Sequence, residues 1–136
     1  MQIQLNPIGR VASPLKEPAD APRQADEGAP EAWIEIDASL LAALEGLNAG
    51  DRIVVITWLD RARRDVLDVH PRGDTTRPLQ GVFGTRSPHR PNPIGLHVTE
   101  IAEVDGTRIR VCHLEAVDGT PVLDIKPVLD GDIAER

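Results

Sequence analysis

Residues 84–95 read GTRSPHRPNPIG, two arginines, a histidine and an asparagine set among three prolines. Pro91 and Pro93 have fixed φ and no amide donor, and Asn92, caught before a proline, is pushed toward extended geometry. Its side-chain amide is therefore held at a nearly fixed angle. Arg86 and Arg90 stand four apart on a turn interrupted by Pro88, so both guanidinium groups can face one concavity, with the hydroxyls of Thr85 and Ser87 beside them. Donors in such number are costly if buried unpaired. The residues alone leave two readings open: the loop meets an anionic or polar ligand, or its arginines pair with the chain's own acids.

A second group lies in LDIKP (123–127), where Asp124 and Lys126 are two residues apart on one face of a strand. Toward an amide-like nitrogen such a pair can serve as base and as a stabiliser of developing negative charge; the alternative is a salt bridge at a sheet edge. Charge distribution adds to this. The chain carries a net −7, yet residues 61–90 hold seven arginines against three aspartates, a local excess of +4. One anion-facing surface, or a solvated arginine-rich hairpin, would give that asymmetry.

Short strands must position these groups. Apolar runs at 3–11, 33–36, 52–59, 66–69, 79–85, 94–104, 108–116 and 121–125 predict about eight of them, with Asp105-Gly106 and Asp118-Gly119 as hairpin turns. Residues 53–56, IVVI, are apolar on both faces, as in a strand covered on each side. DASLLAALEGL (37–47) predicts one helix, capped by Asp37 or Ser39 and apolar along Leu40, Leu41, Leu44 and Leu47. Between Ser13 and Pro30 four prolines predict an irregular loop. The expected architecture is mainly all-β: a small single-domain barrel over 1–136 with one short helix and a long proline-rich loop.

Other chemistry is disfavoured. No apolar run is long enough to cross a bilayer, and MQIQLNPIGR lacks a secretory pattern, so a soluble, cytoplasmic protein is expected, with no membrane partner. His70, His89, His97, His113 and Cys112 have no metal-ligand spacing, so no metal is expected. No glycine-rich nucleotide fingerprint follows a strand. Cys112 reads as core filler, and core packing is also expected of Trp33, Trp58 and Phe83, with Phe83, beside the motif, the best placed of the three to contact a ligand.

VFGTRSPHRPNPIG (82–95) together with DGTPVLDIKP (118–127), preceded by NPIGRVASP (6–14) and PRQ (22–24), resembles the TsaA-like family over about residues 6–133. These are small β-barrel methyltransferases. The resemblance implies S-adenosylmethionine as cofactor, a homodimer, and tRNA as partner, methylated on the carbamoyl-bearing nitrogen of threonylcarbamoyladenosine beside the anticodon. It implies a cofactor pocket formed by Pro22, Arg23, Gln24, Asp60, Arg61, Arg86, Leu96, Asp124, Ile125 and Lys126. Arg90 and Asn92 fall on the catalytic or substrate-facing side, beside Asp124 and Lys126. Arg61, Arg63, Arg64, Arg72 and Arg77 would then face tRNA phosphates. Two positions depart from the family: Asp60, where histidine is more usual, and Val128, where an aromatic usually follows the lysine-proline pair. Two other readings stand beside this one: the same barrel methylating a small molecule or another modified base, and a non-enzymatic module binding S-adenosylmethionine or another anion.

Overall fold

A computed structural model describes residues 1–22 and 28–129. Among these residues eight strands form, β1 (Gly9–Ala12), β2 (Ala32–Ile36), β3 (Arg52–Trp58), β4 (Asp68–Val69), β5 (Gln80–Gly81), β6 (Ile94–Asp105), β7 (Arg108–Val111) and β8 (Pro121–Pro127). Six close into an antiparallel barrel in the order β1-β2-β7-β6-β3-β8, with β8 returning to β1. The other two, β4 and β5, pair as a separate ribbon. The period-2 pattern sets the faces. In AWIEI of β2, Ala32, Ile34 and Ile36 are buried while Trp33 and Glu35 turn outward, and β3 and β6 alternate likewise.

The barrel interior is almost wholly aliphatic, built on Val11, Ile34, Ile53, Val55, Ile109 and Val122. None of the three aromatic residues is in it, which corrects the expectation for them. Trp33 lies outside under Arg108, 4.2 Å from the ring centroid, Trp58 lies outside under Arg64, and Phe83 stands in solvent. Cys112 is partly exposed and unpaired, not core filler, because β7 stops at Val111 and the chain turns off the sheet. The core positions beyond it are filled by Leu114, Ala116 and Val117.

The predicted helix is present as a 3-10 helix, Ala38–Leu44. Asp37 caps it, accepting from Ser39 N at 2.9 Å, and Leu40 departs from helical geometry, so i→i+3 bonds dominate. Leu44 is buried and Leu40 and Leu47 pack on the barrel, whereas Leu41 is exposed. One polar chain crosses the interior: Thr57 Oγ1 lies 2.7 Å from His97 Nε2, and His97 Nδ1 meets Glu115 Oε1.

The turn after β7 ties the barrel shut. Asp118 Oδ1 accepts from the backbone N–H of buried Ser13 at 2.9 Å, and Lys16 Nζ is 3.1 Å from its other oxygen. The Ser13 hydrogen bond, reinforced by Lys16, holds the Asp118 carboxyl below its ordinary value. A depressed carboxylate contributes stability above its unfolded pKa, about 3.9, and loses it as pH falls through the lower folded value. Asp118→Ala should therefore cost about 1–2 kcal/mol at pH 7, mainly through the unpaired Ser13 donor. Urea midpoints at pH 7 and pH 3 should differ less for the variant than for the parent. Equal differences would remove Asp118 from the acid response.

Candidate functional site

The outer face of β8, β3 and β6 gathers the chemistry. Along β3, Ile53, Val55 and Thr57 point inward, leaving Val54, Ile56 and Trp58 outside. The antiparallel register places Asp124 and Leu96 on either side of Ile56, Lys126 and Val98 on either side of Val54, and Ile94 opposite Trp58. A β-bulge makes this possible. Val122 is fully buried, so strict alternation would send Asp124 and Lys126 into the core. The pairing of β8 with β3 shifts between Ile56 and Thr57, and beyond that shift the parity is reversed: Asp124 and Lys126 face solvent while Ile125 packs against the core. Asp124 Oδ1 accepts from Ile125 N at 2.8 Å, and its other oxygen is 3.5 Å from Lys126 Nζ.

Gly95 is required at the start of the β6 row. A Cβ there would come within 2.5 Å of Thr57 Oγ1 and 2.7 Å of His97 Nε2. The other NPIG segment obeys the same rule, since a Cβ on Gly9 would lie 2.1 Å from Glu35 O. Both motifs lead a strand into the barrel where only hydrogen fits.

Beyond β6, the row of polar groups continues through the proline loop. Arg64 stacks over Trp58, donates from Nε to Pro91 O at 2.7 Å and from Nη2 to Asn92 Oδ1 at 2.9 Å. Asn92 is exposed, and with its oxygen engaged it presents its amide N–H groups. The loop is also pinned at Leu59 N to Pro93 O, Arg90 N to Arg63 O, and Arg63 N to His89 Nδ1. Arg90 itself points into the loop: its guanidinium donates to the carbonyls of Val82, Thr85 and Ser87. It braces the turn that carries Arg86.

Of the residues singled out in the sequence, Leu96, Asp124, Lys126 and, through Arg64 and Trp58, Asn92 share one outer face. Ile125 does not share it by its side chain. Asp60 is exposed just past β3, and Arg61 donates to Lys16 O at 2.9 Å, tying the proline-rich segment to that end of the barrel. Pro22 is half-buried at the end of the described segment, and Arg23 and Gln24 lie outside the described residues. Arg86 is exposed, and neither it nor Arg77 uses its side chain in a hydrogen bond or ion pair among the described residues. Arg61, Arg63 and Arg64, expected to face phosphate, all have partners within the chain. Arg61 and Arg64 hold backbone carbonyls, and Arg63 makes a two-bond pair with Asp65, which lowers the Asp65 pKa. Sequence reading missed Arg64 as a positioning group and Ile56 as the centre of the face. The adjacency of Arg64 to the tryptophan strand in WLDRARR was the available signal. Among the described residues no cluster of three or more histidine, cysteine or acidic groups is arranged to hold a metal ion.

The family model described as the tRNA-methyltransferase O N-terminal domain matches residues 10–131. An "S-adenosyl-L-methionine-binding protein" of Archaeoglobus fulgidus is 48% identical over 122 residues, which are 90% of this chain and 86% of that protein. A "Probable S-adenosyl-L-methionine-binding protein" of Methanothermobacter thermautotrophicus is 46% identical over 127 residues, covering 93% and 90%. The crystal structure of TrmO from Pseudomonas aeruginosa is similar with a TM-score of 0.76 at 27% identity, over 100% of this chain. The match spans 61% of that solved chain.

Proposed function

The chain belongs to the family of the tRNA-methyltransferase O N-terminal domain, and from that we propose that it binds S-adenosylmethionine and methylates the carbamoyl-bearing nitrogen of threonylcarbamoyladenosine in tRNA. The observation that supports this most is the β-bulge that turns Asp124 and Lys126 out beside Ile56 and Leu96. A carboxylate, an ammonium and an apolar wall on one face, with the exposed guanidinium of Arg86 in the adjoining loop, are the donor and acceptor types that the cofactor's hydroxyls, amino-acid group and apolar stem require. The residues present fit it.

When bound, S-adenosylmethionine supplies a methyl carbon already activated by its sulfonium. The remaining work is alignment, to which effective concentration contributes most. In this reading the Asn92 amide, set by Arg64, orients the carbamoyl oxygen of the acceptor. Asp124 takes the proton that leaves the nitrogen, and Lys126 stabilises negative charge developing on the carbamoyl group. Calorimetry with S-adenosylmethionine tests the cofactor part. Binding that weakens in Asp124→Ala and Arg86→Ala but not in Arg108→Ala is expected; no heat and no thermal shift at saturating cofactor would refute it.

The same face argues for a homodimer. Ligand sites are concave, whereas the outside of a barrel is convex, and here Ile94, Leu96 and Val98 are 44%, 49% and 43% exposed in one row. A second copy laid on the row would bury it and supply a second wall. Val98→Arg, which repeats a like charge beside Lys126 on both copies, should shift light scattering from dimer to monomer at micromolar concentration. A parent that is itself monomeric there would contradict the proposal.

A further inference from the structure

We propose that Phe83 is a stacking platform for an unpaired nucleobase of the RNA substrate, a role that rests on the tRNA reading above. The ring is 85% exposed. It is not a lone surface residue, because it borders an open groove of about 480 Å³ with Leu67 and Gln80, and Leu67 and the nearby Leu79 are exposed too.

The backbone beneath the ring is held from every side. Val82, next to it, is buried and its N–H donates to Leu67 O at 3.0 Å. Thr85 N donates back to Val82 O at 3.0 Å, Gln80 Nε2 donates to Gly84 O at 3.1 Å, and the Arg90 guanidinium holds the carbonyls of Val82 and Thr85. A braced 3-10 turn, Val82–Gly84, thus holds an aromatic ring out in water, where it loses the stabilisation that burial would give. That arrangement suits a ligand that stacks without asking the protein to rearrange.

Charge selects the class of ligand. Arg86 follows the ring by three residues and Arg77 precedes Leu79 by two, both with uncommitted side chains among the described residues, in the segment whose excess is +4 within a chain of net −7. A flat π-face near these guanidinium groups fits a base on the ring and its phosphates on the arginines. An adenine of the cofactor would share the stacking chemistry, so the test separates the two.

The experiment is fluorescence anisotropy with a labelled tRNA anticodon stem-loop, at several salt concentrations, for the parent, Phe83→Leu and Phe83→Trp, with a parallel cofactor titration in the absence of RNA. Phe83→Leu keeps apolar bulk and loses the ring. It should weaken RNA binding about tenfold, within the range for one stacked base, while Phe83→Trp binds at least as tightly as the parent. The salt slope should not change, because no phosphate contact is removed. Cofactor affinity, melting temperature and oligomeric state should all match the parent. RNA binding by Phe83→Leu equal to the parent's overturns the platform and leaves the tRNA reading standing. Weaker cofactor binding in Phe83→Leu, or loss of the dimer, overturns it in favour of an adenine or subunit contact. A parent that binds cofactor but no RNA overturns the platform and the tRNA substrate together.

Discussion

Arg64→Ala should lower the turnover of tRNA methylation about 100-fold, within the range expected when a positioning contact is lost, and leave S-adenosylmethionine affinity unchanged. Asn92→Ala should do the same. Arg64 donates to Pro91 O and Asn92 Oδ1 and lies against Trp58, so its guanidinium fixes the direction in which the Asn92 amide points. Removing Arg64 leaves an exposed amide free to rotate and removing Asn92 deletes that amide, and in both cases even a small angular error at the acceptor is expensive in rate. The double variant should be no worse than the poorer single one, because both remove one unit. Arg63→Ala, next door, should be nearly silent, since its bidentate pair with Asp65 is fully exposed. Single-turnover rates with saturating tRNA and cofactor measure this. A contrary result is an Arg64→Ala enzyme with parental turnover at saturating tRNA, a raised Michaelis constant and a flatter salt dependence, which would make Arg64 a phosphate contact after all.

Arg90→Ala should abolish methyl transfer to within detection, by at least 100-fold, while the barrel stays folded. Three carbonyls, those of Val82, Thr85 and Ser87, converge on one guanidinium, and the residues they belong to flank Arg86 and carry Phe83. Without the fork the turn loses its brace, and both the proposed cofactor arginine and the stacking ring lose their places. Arg90→Lys should rescue poorly, because a point ammonium does not reproduce a planar fork spanning several carbonyls. The aliphatic core includes no residue of this turn except Val82, so melting should fall by only a few degrees. Limited proteolysis distinguishes a brace from a catalytic group. New cleavage between residues 82 and 91 is expected in Arg90→Ala; unchanged protease resistance with lost activity would show that Arg90 acts directly on the reactants.

Much of the barrel was legible because its strands obey a period of two and its turns carry Asp-Gly. The eight strands were found, and Asp37 was one of the two caps foreseen. Strand ends were not: residues 108–116 look continuous, yet the sheet ends at Val111, since apolar Leu114 and Ala116 are buried equally well by a turn. The stiffness of the loop at Pro91 and Pro93 was readable, but the partners of its arginines were not. Charge counting treats every exposed arginine as available, whereas Arg61, Arg64 and Arg90 are engaged by backbone carbonyls, which carry no charge and leave no trace in composition. The outward turn of Asp124 and Lys126 depends on one extra residue in β8, and a bulge is invisible to alternation read along a single strand. The aromatic residues misled for a related reason. Trp33 and Trp58 find arginine faces outside the barrel, and an aliphatic interior has no need of them.

The most direct test is to incubate the protein with tRNA bearing threonylcarbamoyladenosine and methyl-labelled S-adenosylmethionine, then analyse the nucleosides by mass spectrometry. The predicted result is one added labelled methyl group on the carbamoyl-bearing nitrogen of that nucleoside, formed far more slowly in Asn92→Ala and lost in Arg90→Ala. Cofactor bound tightly by calorimetry, with every nucleoside of the tRNA unlabelled, would contradict the tRNA reading and leave a small-molecule acceptor or a binding module in its place.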